Sequence, residues 1–183
     1  NIKTFRVILA NMREKLNAKS AHMEIEFPYF VEKSAPVTGA KSIMDYVCHF
    51  IGEDDGKKAD FRVGVTVPVT TVCPCSKEMS LRGAHNQRSI VRVNVRFRKF
   101  FWIEDLIRLV EDSASGEVYS LLKRPDEKHV TEKSYENPMF VEDVVRSVAE
   151  KLGRDGNFTW YSVEAENIES IHNHSAYAYL EKE

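Results

Sequence analysis

Apolar and polar residues alternate strictly in two stretches near the middle of the chain, residues 60–72 and 88–98. Successive side chains of a β-strand point to opposite faces, so this period of two predicts two strands, each with one apolar face. The apolar faces consist of Phe61, Val63, Val65, Val67 and Val69 in the first stretch and Val91, Val93, Val95 and Phe97 in the second. The other face of the second strand carries Arg88, Arg92, Arg96 and Arg98.

Three segments repeat apolar residues every three or four positions, which predicts amphipathic helices. They are residues 2–18, 102–113 and 139–153. For the last helix we expect Asn137 as the N-cap, Pro138 at the first helical position and Gly153 at the end. Its apolar stripe consists of Phe140, Val144, Val145 and Val148.

The rest of the chain is predicted to contribute four more strands, a short helix and a loop. The strands are expected at 21–32, 41–51, 157–167 and 174–182, the short helix near 116–122, and a polar loop with one helical turn at 123–138.

This order of elements predicts an α+β fold made of two similar modules. From residue 59 onward the order is strand, strand, helices, strand, strand, whereas residues 1–58 give helix, strand, strand. We therefore expect residues 59–183 to form one ββααββ module and residues 1–58 to form the second half of another, whose opening strands the chain lacks. The first residue is Asn rather than Met, which is consistent with a missing natural N-terminus.

Composition excludes several classes of protein. The chain has 183 residues, 43% of them hydrophobic and 30% charged, as in ordinary globular proteins. A formal net charge of −2 argues against a nucleic-acid-binding protein, which usually carries a basic surplus. No apolar run approaches the roughly 18–20 residues needed to span a bilayer, so no membrane partner is expected. The cysteines number three, an odd count that argues against a disulfide framework and favours a reducing compartment, the cytoplasm.

The segment between the two alternating strands contains two of those cysteines and a histidine. In TTVCPCSKEMSLRGAHNQRS, Cys73 and Cys75 are separated by one proline, and His85 follows twelve residues after the first cysteine. Thiolate and imidazole are natural ligands of zinc and related ions, which suggests a metal site. A redox pair or two thiols without a function are the alternatives. Since no second cysteine pair completes a four-ligand structural site, a metal here would occupy an open, catalytic site.

Three motifs along the chain resemble one known family. The strings CPCSKEMS…GAHNQRS, RPDEKHVTEKSYENPMFVED and IESIHNHSAYA occur in this order and resemble the GTP cyclohydrolase IB family, the metal-dependent second type of GTP cyclohydrolase. The resemblance covers nearly all of the chain. It implies a bimodular tunnelling fold (T-fold) with helices on one sheet face, which agrees with the predicted modules. It also implies GTP as the substrate, and a homotetramer with active sites at the subunit interfaces.

The resemblance implies a metal site and a role for each matched residue. Cys73, His85 and Glu127 match the ligands of a divalent metal, which could be zinc, manganese or iron(II), and one position stays open for water. Such an ion lowers the pKa of its bound water to roughly 7. Cys75 is not a ligand in this interpretation.

The same resemblance implies residues for the substrate and for proton transfer. Glu142 matches the glutamate that anchors the base, although the sequence alone favours a solvated glutamate. His172 is the candidate for proton transfer because a histidine pKa near 6.5 suits neutral pH. His174 and Glu169 would orient His172 or a second water. Lys77 and Arg88 are the candidates for binding the triphosphate.

The expected function is hydrolysis of GTP to 7,8-dihydroneopterin triphosphate and formate, the entry to folate synthesis. One alternative is another T-fold enzyme on a purine-like substrate, such as a deazapurine nitrile reductase, which would use a catalytic cysteine and NADPH. The other is a metal-binding protein without catalytic activity.

Overall fold

One antiparallel sheet runs through the chain, and the computed structural model describes residues 2–182 of it. All six predicted strands are found. The sheet has the order β1-β2-β3-β4-β6-β7, and a short additional strand, β5, pairs with β3. The strands are β1 (Ala21–Ser34), β2 (Lys41–Asp54), β3 (Ala59–Val72), β4 (Asn86–Phe97), β5 (Gly116–Glu117), β6 (Phe158–Ile168) and β7 (Ser175–Lys182).

The helices cover one face of this sheet, as predicted. They are α1 (Ile2–Lys15), α2 (Pro74–Met79), α3 (Ile103–Glu111), α4 (Arg124–Glu136) and α5 (Val141–Arg154). The predictions for α1, α3 and α5 are confirmed, with small differences at their ends. Within residues 2–182, no helix is both long enough and apolar enough to cross a membrane.

The core lies between this sheet face and helices α3 and α5. The alternating valines of β3 and β4 are fully buried there and pack against Leu106, Val144 and Leu152 of the two helices. A smaller cluster under α1 contains Phe5 and Leu9. A Cβ atom on Gly52 of β2 would lie 2.2 Å from a ring carbon of Phe5, so the glycine lets α1 approach the strand.

The prediction of a short helix at 116–122 is wrong. Gly116 and Glu117 form β5, which pairs with Val69 and Thr70 of β3. The partner strand β2 pairs with β3 only as far as Thr66, so the backbone groups of the following residues of β3 are available to β5. Strand β5 therefore forms because the tertiary structure leaves this part of the β3 edge without pairing to β2.

The prediction of a loop at 123–138 is also wrong, because the helix α4 occupies most of it. The buried carboxylate of Asp126 accepts a hydrogen bond from Lys123 N–H (3.0 Å) at the start of the helix. It also accepts bonds from Val37 N–H (2.9 Å), Thr38 N–H (2.8 Å) and the Thr38 hydroxyl (2.7 Å) in the β1–β2 turn. Burial raises the pKa of Asp126, but these hydrogen bonds outweigh burial and hold the pKa below its usual value.

The expected ends of α5 are displaced. Phe140 precedes the helix, and its N–H donates to the Asp143 carboxylate (3.0 Å). Phe140 is exposed and does not extend the buried stripe. Asn137 instead ends α4, where its side chain donates to the carbonyl of Ala114 (3.0 Å). Gly153 lies within the last turn, and the helix ends at Arg154.

Contacts across residue 58 join the two predicted modules. Strands β2 and β3 pair directly across this point. In addition, the ammonium of Lys33, whose side chain is 12% exposed, lies 2.6 Å from the Glu111 carboxylate and 2.9 Å from that of Glu117. The Tyr46 hydroxyl donates to the same Glu111 (2.8 Å). The division into two modules at residue 58 therefore stays a prediction, while the sheet itself is continuous across it.

We expect Asp126→Ala to lower the melting temperature of the metal-free protein by several degrees, because its four hydrogen-bond donors lose their shared acceptor. Thermal unfolding followed by circular dichroism measures this. The adjacent Glu127 is exposed, so Glu127→Ala is the matched control and should melt with the wild type. Equal melting temperatures for the two variants would contradict the role of Asp126.

Candidate functional site

A pocket of about 240 Å³ lies where the β3–β4 loop meets the start of α5 and the β6–β7 connection. Six of the nine residues predicted for the site lie in its wall. The pocket is lined by Cys73, His85, Gln87, Met139, Phe140, Val141, Glu142, Asn167, Glu169, His172, His174 and Ala176.

The first and last residues of the β3–β4 loop bring the thiol and the imidazole together. Cys73 follows the last residue of β3, and His85 precedes β4. The Cys73 N–H donates to the His85 carbonyl (3.1 Å), which adds one more pair to the two strands. The Ser76 hydroxyl donates to the Cys73 carbonyl and accepts from the His85 N–H, both at 3.1 Å. The loop is thus closed on itself, and both metal-ligand candidates line one pocket.

Gln87 and Glu169 form a polar network beside His85. The Gln87 amide nitrogen donates to Glu169 Oε2 (2.9 Å) and lies 3.2 Å from His85 Nδ1. Its amide oxygen accepts from the Thr71 hydroxyl (3.1 Å). Glu169 Oε2 itself lies 3.7 Å from His85 Nδ1. Such contacts fix the orientation of an imidazole and leave its Nε2 available to a ligand.

The two histidines of the β6–β7 connection lie next to this network. The ring of His172 is 6.5 Å from that of His85, centroid to centroid, and stacks on His174 at 5.1 Å. The two ring planes differ by 24°, so the two side chains lie on the same side of the connection. Glu169, which was expected to orient His172 or a water, makes its hydrogen bond with Gln87 instead.

Glu142 lies in the first turn of α5 and lines the pocket. The N–H of Met139, just before the helix, donates to the carbonyl of Val72 (3.0 Å) and so places this end of α5 beside Cys73. Among the described residues, the Glu142 carboxylate has no hydrogen-bond or ion-pair partner, whereas that of Asp143 caps the helix. The positive end of the helix dipole favours a carboxylate there. Glu142 is therefore the acid in this turn that is available to a ligand.

Three predicted site residues lie outside the pocket. Glu127 is exposed on the first turn of α4. Lys77 donates to the carbonyl of Tyr135, and its ammonium lies 4.4 Å from the centre of that ring. Arg88 is exposed on β4, between the buried Gln87 and Ser89, so it belongs to the sheet face without helices. The roles of these three residues stay predictions.

The donor chemistry of the pocket suits a divalent metal, but the ligand set is incomplete. Thiol, imidazole and carboxylate groups are present in Cys73, His85 and Glu169. Across residues 2–182, however, no three Cys, His, Asp or Glu side chains lie close enough together to hold an ion. Two donors of the predicted set thus share the pocket, and the third is not brought to it.

The three cysteines are all free thiols, in three different environments. Cys48 is in the core, where burial raises its pKa to about 12 and makes it unreactive. Cys75 is exposed on α2, and Cys73 is partly exposed in the pocket wall. Of the three, Cys73 is the thiol placed to meet a ligand.

Gln87 and Asn167 were not predicted as site residues. Both lie at the strand ends on the face that is apolar elsewhere in β4 and β6, and both are buried. The signal in the sequence was a polar residue at a position where the alternation predicts an apolar one.

Comparison with known sequences gives a consistent result. The family model described as type I GTP cyclohydrolase folE2 matches residues 1–178. A GTP cyclohydrolase FolE2 from Syntrophus aciditrophicus (strain SB) is 73% identical over 183 residues, which cover 100% of this chain and 72% of the relative. A second, from Geotalea uraniireducens (strain Rf4), is 60% identical over 182 residues, which cover 100% of this chain and 67% of the relative.

Comparison with solved structures confirms the fold. Urate oxidase from Bacillus sp. TB-90 superposes with a TM-score of 0.55, covering 97% of this chain and 70% of that one. The two sequences are only 8% identical, so the likeness concerns the fold alone. The tunnelling fold predicted from the motifs is therefore the fold of this chain.

Proposed function

The chain belongs to the type I GTP cyclohydrolase FolE2 family, and from this premise we propose that it hydrolyses GTP to 7,8-dihydroneopterin triphosphate and formate in the pocket described above. FolE2 and GTP cyclohydrolase IB are two names for this type. One observation carries the proposal: the Cys73–His85 pair lines the same cavity as Glu142, whose carboxylate has no partner among the described residues. Membership of this family argues against both alternatives raised by the sequence, a deazapurine nitrile reductase and a metal-binding protein without catalytic activity. The reaction is the first step of tetrahydrofolate biosynthesis.

Glu142 anchors the guanine base in this proposal. Its carboxylate accepts two parallel hydrogen bonds, from N1–H and from the 2-amino group, an arrangement that is strong because the acceptor is charged. Met139 and Phe140 provide apolar contacts beside it in the pocket wall. Held by this edge, the base directs its five-membered ring away from Glu142. Positioning of this kind matters because a misplacement of about 1 Å can cost on the order of a hundredfold in rate.

Cys73 and His85 would hold a divalent metal, with Glu127 as the proposed third ligand. The candidates are zinc, manganese and iron(II), since affinity alone does not choose among them. When bound, the metal supplies an acidified water for hydrolysis at neutral pH. Gln87 and Glu169 orient His85 for this role through the contacts with its Nδ1.

The histidines of the β6–β7 connection move the protons. His172, beside His85, transfers a proton to the ring nitrogen that leaves when the imidazole ring of guanine opens. His174 stacks on His172 and keeps its ring in place. Two hydrolytic steps remove C8 as formate, and closure of the rearranged ribose onto the freed amine returns one water.

The triphosphate lies outside this pocket. About 240 Å³ is below the roughly 300–1,000 Å³ of sites that enclose a whole ligand, so one chain encloses only part of GTP. Lys77 and Arg88 are the proposed phosphate contacts, and residues of a neighbouring subunit complete the site.

The proposed homotetramer with sites at its interfaces is the assembly that the family resemblance implies, and the sheet edges support association of subunits. Within residues 2–182, the outer strands β1 and β7 each have one edge without a partner strand. Open edges of this length are normally covered, and pairing with other subunits covers them.

Metal removal should abolish turnover. We expect chelator-treated protein to release no formate and no fluorescent pterin from GTP, and activity to return when zinc, manganese or iron(II) is added back. Cys73→Ala should stay inactive with every metal because a ligand is lost, whereas Cys75→Ala, two residues away, should be restored. Full activity of Cys73→Ala would contradict the metal site.

Replacing the base anchor should impair substrate use. Glu142→Ala is expected to lower kcat/KM for GTP by on the order of a hundredfold, because two hydrogen bonds to a charged group are lost. Glu150→Ala, an exposed glutamate later in the same helix, is the matched control and should keep wild-type kinetics. Unchanged kinetics for Glu142→Ala would exclude it as the anchor.

The native mass should equal four chains. Analytical ultracentrifugation of the active protein measures it directly. A monomer that turns over GTP at the full rate would refute both the tetramer and the interfacial site.

A further inference from the structure

The Ser76 hydroxyl connects the backbones of the two metal-ligand candidates. It donates to the Cys73 carbonyl and accepts from the His85 N–H, both at 3.1 Å. A hydroxyl suits this position because it can donate and accept at the same time, whereas a backbone N–H only donates and a carbonyl only accepts. Ser76 thus contacts both residues through their backbones and leaves the thiol and the imidazole to the pocket that they line.

This bridge takes the place of one hydrogen bond between the ends of β3 and β4. In an antiparallel pair of residues that exchange hydrogen bonds, each N–H donates to the carbonyl opposite. Continuing the register of β3 and β4 by one pair places Cys73 opposite His85. The Cys73 N–H donates directly to the His85 carbonyl (3.1 Å), whereas the reciprocal connection passes through the Ser76 hydroxyl. The inserted oxygen keeps the His85 N–H and the Cys73 carbonyl farther apart than a direct bond would.

Backbone hydrogen bonds hold Ser76 itself in place. It lies in α2, where the Lys77 N–H donates to the Cys73 carbonyl and the Ser80 N–H donates to the Ser76 carbonyl, both at 3.1 Å. Pro74 is in the first turn of this helix, where its fixed φ angle favours helical backbone. Because the helix is anchored in this way, the hydroxyl has a defined position between the two strand ends.

We propose that Ser76 is a positioning residue that sets the separation of Cys73 and His85 before a metal binds. This inference rests on the proposed function, in which these two residues hold a divalent ion. Ligands that are already placed need less ordering when the ion arrives, so it binds more tightly. Without the hydroxyl, the His85 N–H either loses its acceptor or closes onto the Cys73 carbonyl. Both changes move the two ligands away from the separation that the bridge maintains.

Ser80 provides a matched control in the same loop. Its hydroxyl donates to the Arg82 carbonyl (2.9 Å) and accepts from the Arg82 N–H (3.2 Å). These are the same two kinds of hydrogen bond that Ser76 makes, but they involve neither ligand candidate. Comparing the two serines therefore separates loss of the bridge from loss of any hydroxyl in this loop.

The test measures the zinc affinity of metal-free protein by competition with a chromogenic chelator. Ser76→Ala should bind zinc roughly 10–100-fold more weakly than wild type, the usual effect of removing a group that orients metal ligands. Ser80→Ala should bind zinc as wild type does. Ser76→Thr, which retains the hydroxyl, should recover most of the affinity.

Cobalt(II) in place of zinc reports the geometry of the ligands. The visible absorption bands of the bound cobalt should differ from wild type in Ser76→Ala and match wild type in Ser80→Ala. A serine that only stabilised the loop would weaken binding without changing the spectrum of the ion once it is bound.

Each outcome decides the question. Wild-type zinc affinity in Ser76→Ala, an equal loss in Ser80→Ala, or a weaker Ser76→Ala with an unchanged cobalt spectrum would overturn the inference and leave the cyclohydrolase proposal intact. Wild type that binds no zinc would overturn the proposed metal site and this inference with it. Should Ser76→Ala fail to fold, Ser76→Val has the shape of the threonine variant without its hydroxyl, and it should lose the affinity that Ser76→Thr keeps.

Discussion

The hydrogen bond from the Cys73 N–H to the His85 carbonyl is the contact on which the candidate site depends. It continues the register of β3 and β4 by one pair beyond Val72 and Asn86. Two residues twelve positions apart become neighbours because the strands bring their ends together. Ser76 reinforces the closure from inside the loop. The rest of the pocket, from α5 on one side and the β6–β7 connection on the other, is assembled around this fixed pair.

Much of the fold was predictable because burial leaves a periodic pattern. Strand β3 could be found from its alternating valines, and α5 from its stripe. The short strand β5 and helix α4 could not, because their stability comes from elsewhere in the chain. Gly116 and Glu117 become a strand only where β2 leaves β3, and α4 is held by Asp126 and a turn nearly ninety residues away. Contacts between residues so far apart leave no recognisable pattern in the sequence of the segment itself.

The candidate site divides in a similar way. Motif resemblance predicted six residues that share one pocket, since metal ligands and titratable groups occur in recognisable strings. It did not predict Gln87 or Asn167, whose amides neither titrate nor coordinate, and whose importance depends on which face of the strand they occupy. Glu127, Lys77 and Arg88 lie on surfaces that this pocket does not reach within one chain.

The ion cluster around Lys33 has a consequence for how the chain unfolds. Lys33 belongs to the segment before residue 58, and its carboxylate partners, Glu111 and Glu117, belong to the segment after it. Glu117 also has Lys133 as a partner within its own segment (3.4 Å), but the buried Glu111 carboxylate would lose its counter-ion if Lys33 moved away, which is unfavourable. Because β2 and β3 also pair across residue 58, we expect the two segments to melt as a single cooperative unit, with one heat-absorption peak rather than two.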